Sequence, residues 1–120
     1  MSKLSPNFTR NEMSCPCCGV LVFDPALLYV LEAIRAHFKR SVRVTSAYRC
    51  FKHNKAVGGA ITSMHRTGQA ADIQVSGIAP AVVHAWLDAT FGFMVGLGAG
   101  KTFTHVDVNS RTPARRWTYN

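Results

Sequence analysis

Apolar residues first recur at helical spacing at Leu27, Leu31, Ile34 and Phe38. Ahead of them Asp24-Pro25 has the form of an N-cap followed by proline at the first helical position, and Lys39-Arg40 suits the carbonyl end. The spacing predicts an amphipathic helix over 25–39. Beyond it the period changes to two. Val42 and Val44 alternate with Arg43 and Thr45, and Ala71, Ile73 and Val75 alternate with Asp72 and Gln74, which predicts strands at 42–45 and 70–75. Between them Gly58-Gly59 marks 57–63 as a loop. Pro80 opens a second helix running to Phe91, and 93–97 and 103–108 read as strands separated by a turn at Gly98-Ala99-Gly100. The order helix, strand, strand, helix, strand, strand predicts an α+β fold, a small and mostly antiparallel sheet with helices packed on one face. A chain of 120 residues has room for one core, so 1–120 is read as a single domain.

The face of the sheet turned away from the helices is chemically unusual. On the last strand Thr104, Val106 and Val108 share one side, while Phe103, His105 and Asp107 share the other. A solvated face normally shows Lys, Thr or Glu, and ordinary solvation would explain either strand alone. The chain, however, has only six acids: Glu12, Asp24, Glu32, Asp72, Asp88 and Asp107. Asp24 is used as a cap, Glu32 and Asp88 fall within helices, and Glu12 lies in an irregular start. Adding His65, just ahead of the Asp72 strand, changes the picture. Two neutral imidazoles and one carboxylate (His65, His105 and Asp72) form a three-ligand zinc set with its fourth position open, which is the catalytic pattern rather than the structural one. His37 and His84 sit within helices and suit packing or the negative helix pole.

Charge adds a class of partner. Fourteen Lys and Arg against six acids give a net charge of +8, which favours a polyanion such as nucleic acid, an anionic membrane or bacterial cell wall. No nucleic-acid motif accompanies it, and the bases are not interleaved with aromatic stacking platforms. The glycines of 96–100 lack the Gly-Lys-Ser/Thr of a phosphate loop. No apolar run approaches the roughly 18 residues that cross a bilayer. The polar segment Met1–Ser14 lacks the apolar stretch of a secretory signal, so synthesis and initial retention in the cytoplasm are expected. Four cysteines are too few and too clustered for a secreted disulfide scaffold. Three readings remain for them. Cys15-x2-Cys18 with Cys50-x2-His53 would make a second, structural zinc site; a disulfide from the cluster to Cys50 suits an oxidising compartment; reduced thiols suit the cytosol. Arg111, Arg115, Arg116, Trp117 and Tyr119 form a basic, aromatic tail, read as a solvated terminus or as a grip on an anionic wall.

Ser46-Ala47-Tyr48-Arg49, His53-Asn54, Val57-Gly58-Gly59-Ala60, Ser63-Met64-His65, Gly68, Ala70-Ala71-Asp72-Ile73 and His105-Val106-Asp107 follow one another in an order that resembles the zinc D-alanyl-D-alanine carboxypeptidase family. That family contains bacterial wall peptidases and phage endolysins, and its zinc-site fold is shared with the Hedgehog signalling domain. The resemblance runs from Phe8 to Asp107. It implies zinc held by His65, Asp72 and His105, with Arg49 steadying substrate or oxyanion, or else holding the fold through contacts to backbone carbonyls. Ser63 would contact substrate or metal-site water, or stabilise its loop. Well-known members carry Glu or Asp three residues before the last zinc histidine, where this chain has Thr102, which cannot act as a base. Small phage-type members read His-Val-Asp, as His105-Val106-Asp107 does here. Asp107 would then either assist proton transfer or orient His105 or Arg49. The expectation is a monomeric zinc metallopeptidase cutting a peptidoglycan stem peptide, of the D-Ala-D-Ala carboxypeptidase or the L-Ala-D-Glu endopeptidase type. A phage lysis enzyme that reaches the wall through a membrane pore, or a virion component, fits the absent signal. The alternative, favoured by Thr102, is a non-catalytic zinc-binding module that attaches to cell wall or serves as a phage structural piece.

Overall fold

The computed structural model describes residues 2–108 and 115–119. A short ribbon of β1 (Lys3–Ser5) and β2 (Phe8–Thr9) leads into α1 (Arg10–Met13). The start is therefore more ordered than expected. Thr9 and Glu12 form a capping box, each side chain accepting the other residue's backbone N–H, which uses up the Glu12 carboxylate. The main helix, α2 (Pro25–Phe38), begins where the sequence predicts, with Asp24 Oδ1 accepting the Ala26 N–H at 2.9 Å. It stops at Lys39, which turns left-handed at φ 54°. After it come β3 (Val42–Ser46), α3 (Phe51–Ala56), a 3₁₀ turn at Met64–Thr67, β4 (Ala70–Val75), α4 (Pro80–Phe91), β5 (Gly96–Ala99), β6 (Thr104–Asp107) and β7 (Arg116–Thr118).

β3 to β7 form one sheet in the order β3-β4-β6-β5-β7, antiparallel except for the β5–β7 pair. The α+β class and the mostly antiparallel sheet agree with the sequence reading. Leu27, Leu28, Val30, Leu31 and Ile34 of α2 and Val83 and Leu87 of α4 are buried in one core with Ile73, Val75, Leu97 and Val106 of the sheet. Each such side chain removed from water contributes about 1.5–3 kcal/mol. His37 is a packing residue, its ring stacked on Trp86 at 4.4 Å so that α2 and α4 are joined. Among the described residues no helix is long and apolar enough to cross a membrane.

Three expectations need correction. Residues 92–94 form a 3₁₀ turn with Phe93 and Met94 exposed, and the strand begins only at Gly96. Gly98 and Ala99 belong to that strand rather than to a turn; their glycine content answers a packing need described below. The C-terminal segment is not a loose end: Leu97 pairs with Arg116, Gly98 with Trp117 and Ala99 with Thr118. Arg111 lies outside the described residues.

Candidate metal centre

Register brings the chemistry together. Asp72 on β4 lies opposite His105 on β6, His105 opposite Gly98 on β5, and Gly98 opposite Trp117 on β7. Ser46 pairs with Asp72 on the other side, beyond a register shift between Val44 and Ser46. Residues that are opposite in register share a sheet face, so this row runs across the face turned away from α2 and α4. One step along, Asp107 pairs with both Ala70 and Gly96. His65 enters from the 3₁₀ turn, which Ser63 caps by accepting the His65 N–H at 3.2 Å.

The donor atoms of His65, Asp72 and His105 lie within 4.8 Å of one another. Asp72 Oδ1 sits 3.3 Å from His65 Nε2 and 3.0 Å from His105 Nδ1. All three residues are buried. The other nitrogen of each imidazole is already committed. His65 Nδ1 is 2.7 Å from the Ala47 carbonyl, which can only accept, so that nitrogen carries the proton and Nε2 the lone pair. His105 Nε2 is 3.0 Å from Asp107 Oδ2, which leaves Nδ1 to face Asp72. Yet His65 Nε2, although buried, makes no hydrogen bond. An orphaned buried acceptor costs about 1–3 kcal/mol. A divalent ion between the three donors would satisfy it, and an N, N, O set with outward hydrogen bonds to a carbonyl and a carboxylate suits zinc. The residues fit the metal that the sequence implied.

The electrostatics of the metal-free triangle follow from the same contacts. Burial alone would raise the Asp72 carboxyl, but the hydrogen bond from the His105 imidazole outweighs it and holds the group well below the usual carboxylate range. Burial would lower His105, and Asp107 and Asp72 raise it instead. Asp107 is 1% exposed and sits over Gly96, where a β-carbon would come within 2.6 Å of its Oδ1. Arg115 reaches the same carboxylate, Nη2 to Oδ2 at 3.4 Å.

A cleft of about 450 Å³ opens over the three donors. Arg49, Ser63 and Met64 line it together with Phe103, Arg115, Trp117 and Tyr119. The Arg49 guanidinium is held by three acceptors: Ser46 Oγ at 3.0 Å, Asn54 Oδ1 at 3.3 Å and Asp72 Oδ2 at 3.4 Å. Thr102 is not part of the cleft; its carbonyl accepts from Gln74 Nε2. The remaining acids are engaged elsewhere, Glu32 with Asn7 and Asp88 with Arg116. Sequence reasoning missed Trp117, Tyr119 and Arg115 as cleft residues. The available signal was the Gly96-x-Gly98 alternation, which clears the same face that His105 and Asp107 occupy: a β-carbon at Gly98 would meet the Trp117 ring at 2.7 Å.

A second group of donors lies at the other end of Arg49's turn. The sulfurs of Cys15, Cys18 and Cys50 lie within 4.8 Å of one another, and all four cysteines are free thiols. The His53 ring does not belong to this group; its backbone N–H donates to Cys50 Sγ at 3.4 Å. Burial pushes the Cys15 thiol up, but backbone N–H groups of Cys50, Cys18 and Cys17 outweigh this and bring it down to about 7.

A family model described as Peptidase M15 matches residues 6–107, a span that contains Arg49, His65, Asp72, His105 and Asp107. A comparison with curated proteins returns no match.

Proposed function

We propose that this chain, which belongs to the peptidase M15 family, is a zinc metallopeptidase that hydrolyses a peptide bond in the stem peptides of bacterial peptidoglycan. The observation that carries the reading is the buried His65–Asp72–His105 triangle at the floor of the cleft, with one imidazole lone pair left unused. Zinc bound there would acidify water and polarise a carbonyl, the chemistry that peptide hydrolysis needs.

The rest is supplied by the chain. The Ala47 carbonyl keeps the His65 proton on Nδ1 and turns Nε2 inward. Asp107 Oδ2 accepts the proton on His105 Nε2 and so keeps Nδ1 available. Asp107 is thus a positioning residue in this reading, acting through His105, with Arg115 anchoring its carboxylate. Arg49, fixed by Ser46, Asn54 and Asp72, presents a permanent positive charge to the cleft, suited to a substrate carboxylate or a developing oxyanion. Ser63 holds the turn that delivers His65. Trp117, Tyr119 and Phe103 give the cleft apolar walls, and Arg115 lies over the Trp117 ring at 4.8 Å. The excess of bases would draw the chain to the anionic wall. The proposed setting is that wall, reached through a phage-encoded pore or from the virion.

The type of bond cut is tested with two synthetic stem peptides, one ending in D-Ala-D-Ala and one presenting L-Ala-D-Glu. Release of D-alanine, or cleavage after L-alanine, identifies the carboxypeptidase or endopeptidase type. If neither peptide is cut by fully zinc-loaded protein, the peptidase reading fails. A second reading has one observation behind it: among the described cleft-lining residues Asp72 is the only carboxylate. A wall-binding zinc module would retain murein in a pull-down and release no fragments.

A further inference from the structure

The cysteine cluster has the architecture of a metal site separate from the His65–Asp72–His105 centre. Cys15-Pro16-Cys17-Cys18-Gly19 makes a tight turn in which the Gly19 N–H donates to the Cys15 carbonyl at 2.8 Å and the Cys15 N–H to the Val20 carbonyl at 2.8 Å. Gly19 sits at φ +74°, a conformation that side chains rarely adopt, and so lets the turn close directly after Cys18. Backbone donors meet the sulfurs of Cys15 and Cys50. Cys15 Sγ accepts from the Cys50 N–H at 3.5 Å. Cys50 Sγ caps α3 by accepting from the His53 N–H at 3.4 Å. Amide donors aimed at these two sulfurs favour thiolate, the form that binds a soft or borderline cation. Three sulfurs within 4.8 Å of one another leave a gap that a tetrahedral ion with metal–sulfur bonds of about 2.3 Å would span. The Cys17 thiol and the His53 ring both lie outside this group of three, and Cys17 belongs to the same turn as Cys15 and Cys18.

We propose that Cys15, Cys17, Cys18 and Cys50 bind a structural zinc ion that clamps the 15–19 turn to the Arg49–Cys50 turn. Binding releases the thiol protons and leaves the cluster anionic, close to Lys52. The clamp has a definite consequence for the cleft. Cys50 follows Arg49 directly, and the Tyr48 N–H donates to the Met13 carbonyl at 3.3 Å. The metal would therefore fix both sides of the turn that sets Arg49 against Asp72. The proposal is independent of the peptidase reading.

Metal analysis of the full chain, purified under reducing conditions without chelator, tests it. Wild type is expected to carry two zinc ions per chain, His65→Ala one, and a Cys15→Ser, Cys50→Ser double variant one. Because the serine variants can fail through misfolding, cobalt-loaded His65→Ala is measured as well. It is expected to show sulfur-to-cobalt charge transfer and the strong visible absorption of a tetrahedral site. Its thiols should resist a disulfide reagent until chelator is added. Cys17→Ser should weaken this cobalt site while His53→Gln leaves it unchanged; the reverse overturns the four-cysteine assignment. Absence of the sulfur band, immediate reaction of all thiols in metal-loaded protein, or a mass two hydrogens lower, which reports a disulfide, overturns the site itself. None of these results bears on zinc at His65, which is counted separately in the Cys15→Ser, Cys50→Ser protein.

Discussion

Asp107 and His65 illustrate what a single residue's surroundings decide. Both belong to the motif that resembles the wall peptidases, but their tasks follow from different partners: a carbonyl for His65 and a second carboxylate for His105. Removing the Asp107 carboxylate's ability to accept the proton, by Asp107→Asn, should weaken zinc binding about 10–100-fold with the fold intact. Competition against a chromophoric chelator reads the affinity and circular dichroism the fold. Unchanged affinity with lost turnover would instead make Asp107 a proton handler. The metal-free protein carries its own pH signature. His105 is raised, so its contribution to stability is full below the ordinary histidine value of about 6.5 and is lost as pH rises through its folded value. Asp72 is depressed, so its contribution is present above the ordinary carboxylate value of about 3.9 and is lost only as pH falls through its folded value. The gap in melting temperature between chelated wild type and chelated His105→Gln should therefore be wide near pH 5–6 and narrow toward pH 9. A gap that widens with pH would contradict the assignment. His65, Asp72 and His105, which the structure brings together, could be singled out in the sequence because a two-residue period put His105 and Asp107 on one face and acids were scarce. The task of Asp107 was not, because it depends on which imidazole nitrogen it reaches, and that is a distance rather than a pattern.

At the scale of elements, α2, β3, β4 and α4 were readable because local periodicity and caps specify them. Asp24→Ala should cost about 1 kcal/mol through loss of the cap hydrogen bond, measured by denaturant unfolding. β7 was not readable. Its three residues have no periodicity to display, and what makes them a strand is a parallel partner, β5, some twenty positions earlier. α3 was missed for a related reason, since Cys50 is an unusual cap and the helix has only six residues. The two glycines of β5 tie these elements to the site. Gly96→Ala would push against the Asp107 carboxylate and Gly98→Ala against the Trp117 ring. The first should lower zinc affinity, through His105. The second should raise KM for a stem peptide by displacing the cleft wall, with zinc content unchanged. Equal loss of zinc in both variants would mean that β7 supports the metal centre rather than the cleft.

Across the whole molecule, one face of the sheet is given to an apolar core and the other to polar chemistry, and the two strands that combine Asp72, His105 and Asp107 with Ile73 and Val106 serve both. A chain of this size spends few residues on anything else, and its four remaining acids are tied up in caps and surface pairs. The net charge of +8 belongs to this scale as well. If it draws the chain to the wall, murein binding should weaken steadily between low and about 0.5 M salt, where screening shortens to a few ångströms, while turnover of a short soluble peptide changes little. The same wall supplies the most direct test of the central claim, that a zinc centre built from His65, Asp72 and His105 hydrolyses a stem-peptide bond. Purified murein is incubated with chelated protein, with the same protein after zinc is restored, and with zinc-treated Asp72→Asn, and the released fragments are weighed. New peptide termini only in the zinc-restored wild type are predicted. Equal fragments in all three samples, or none in a wild type shown to hold zinc at His65, would contradict it.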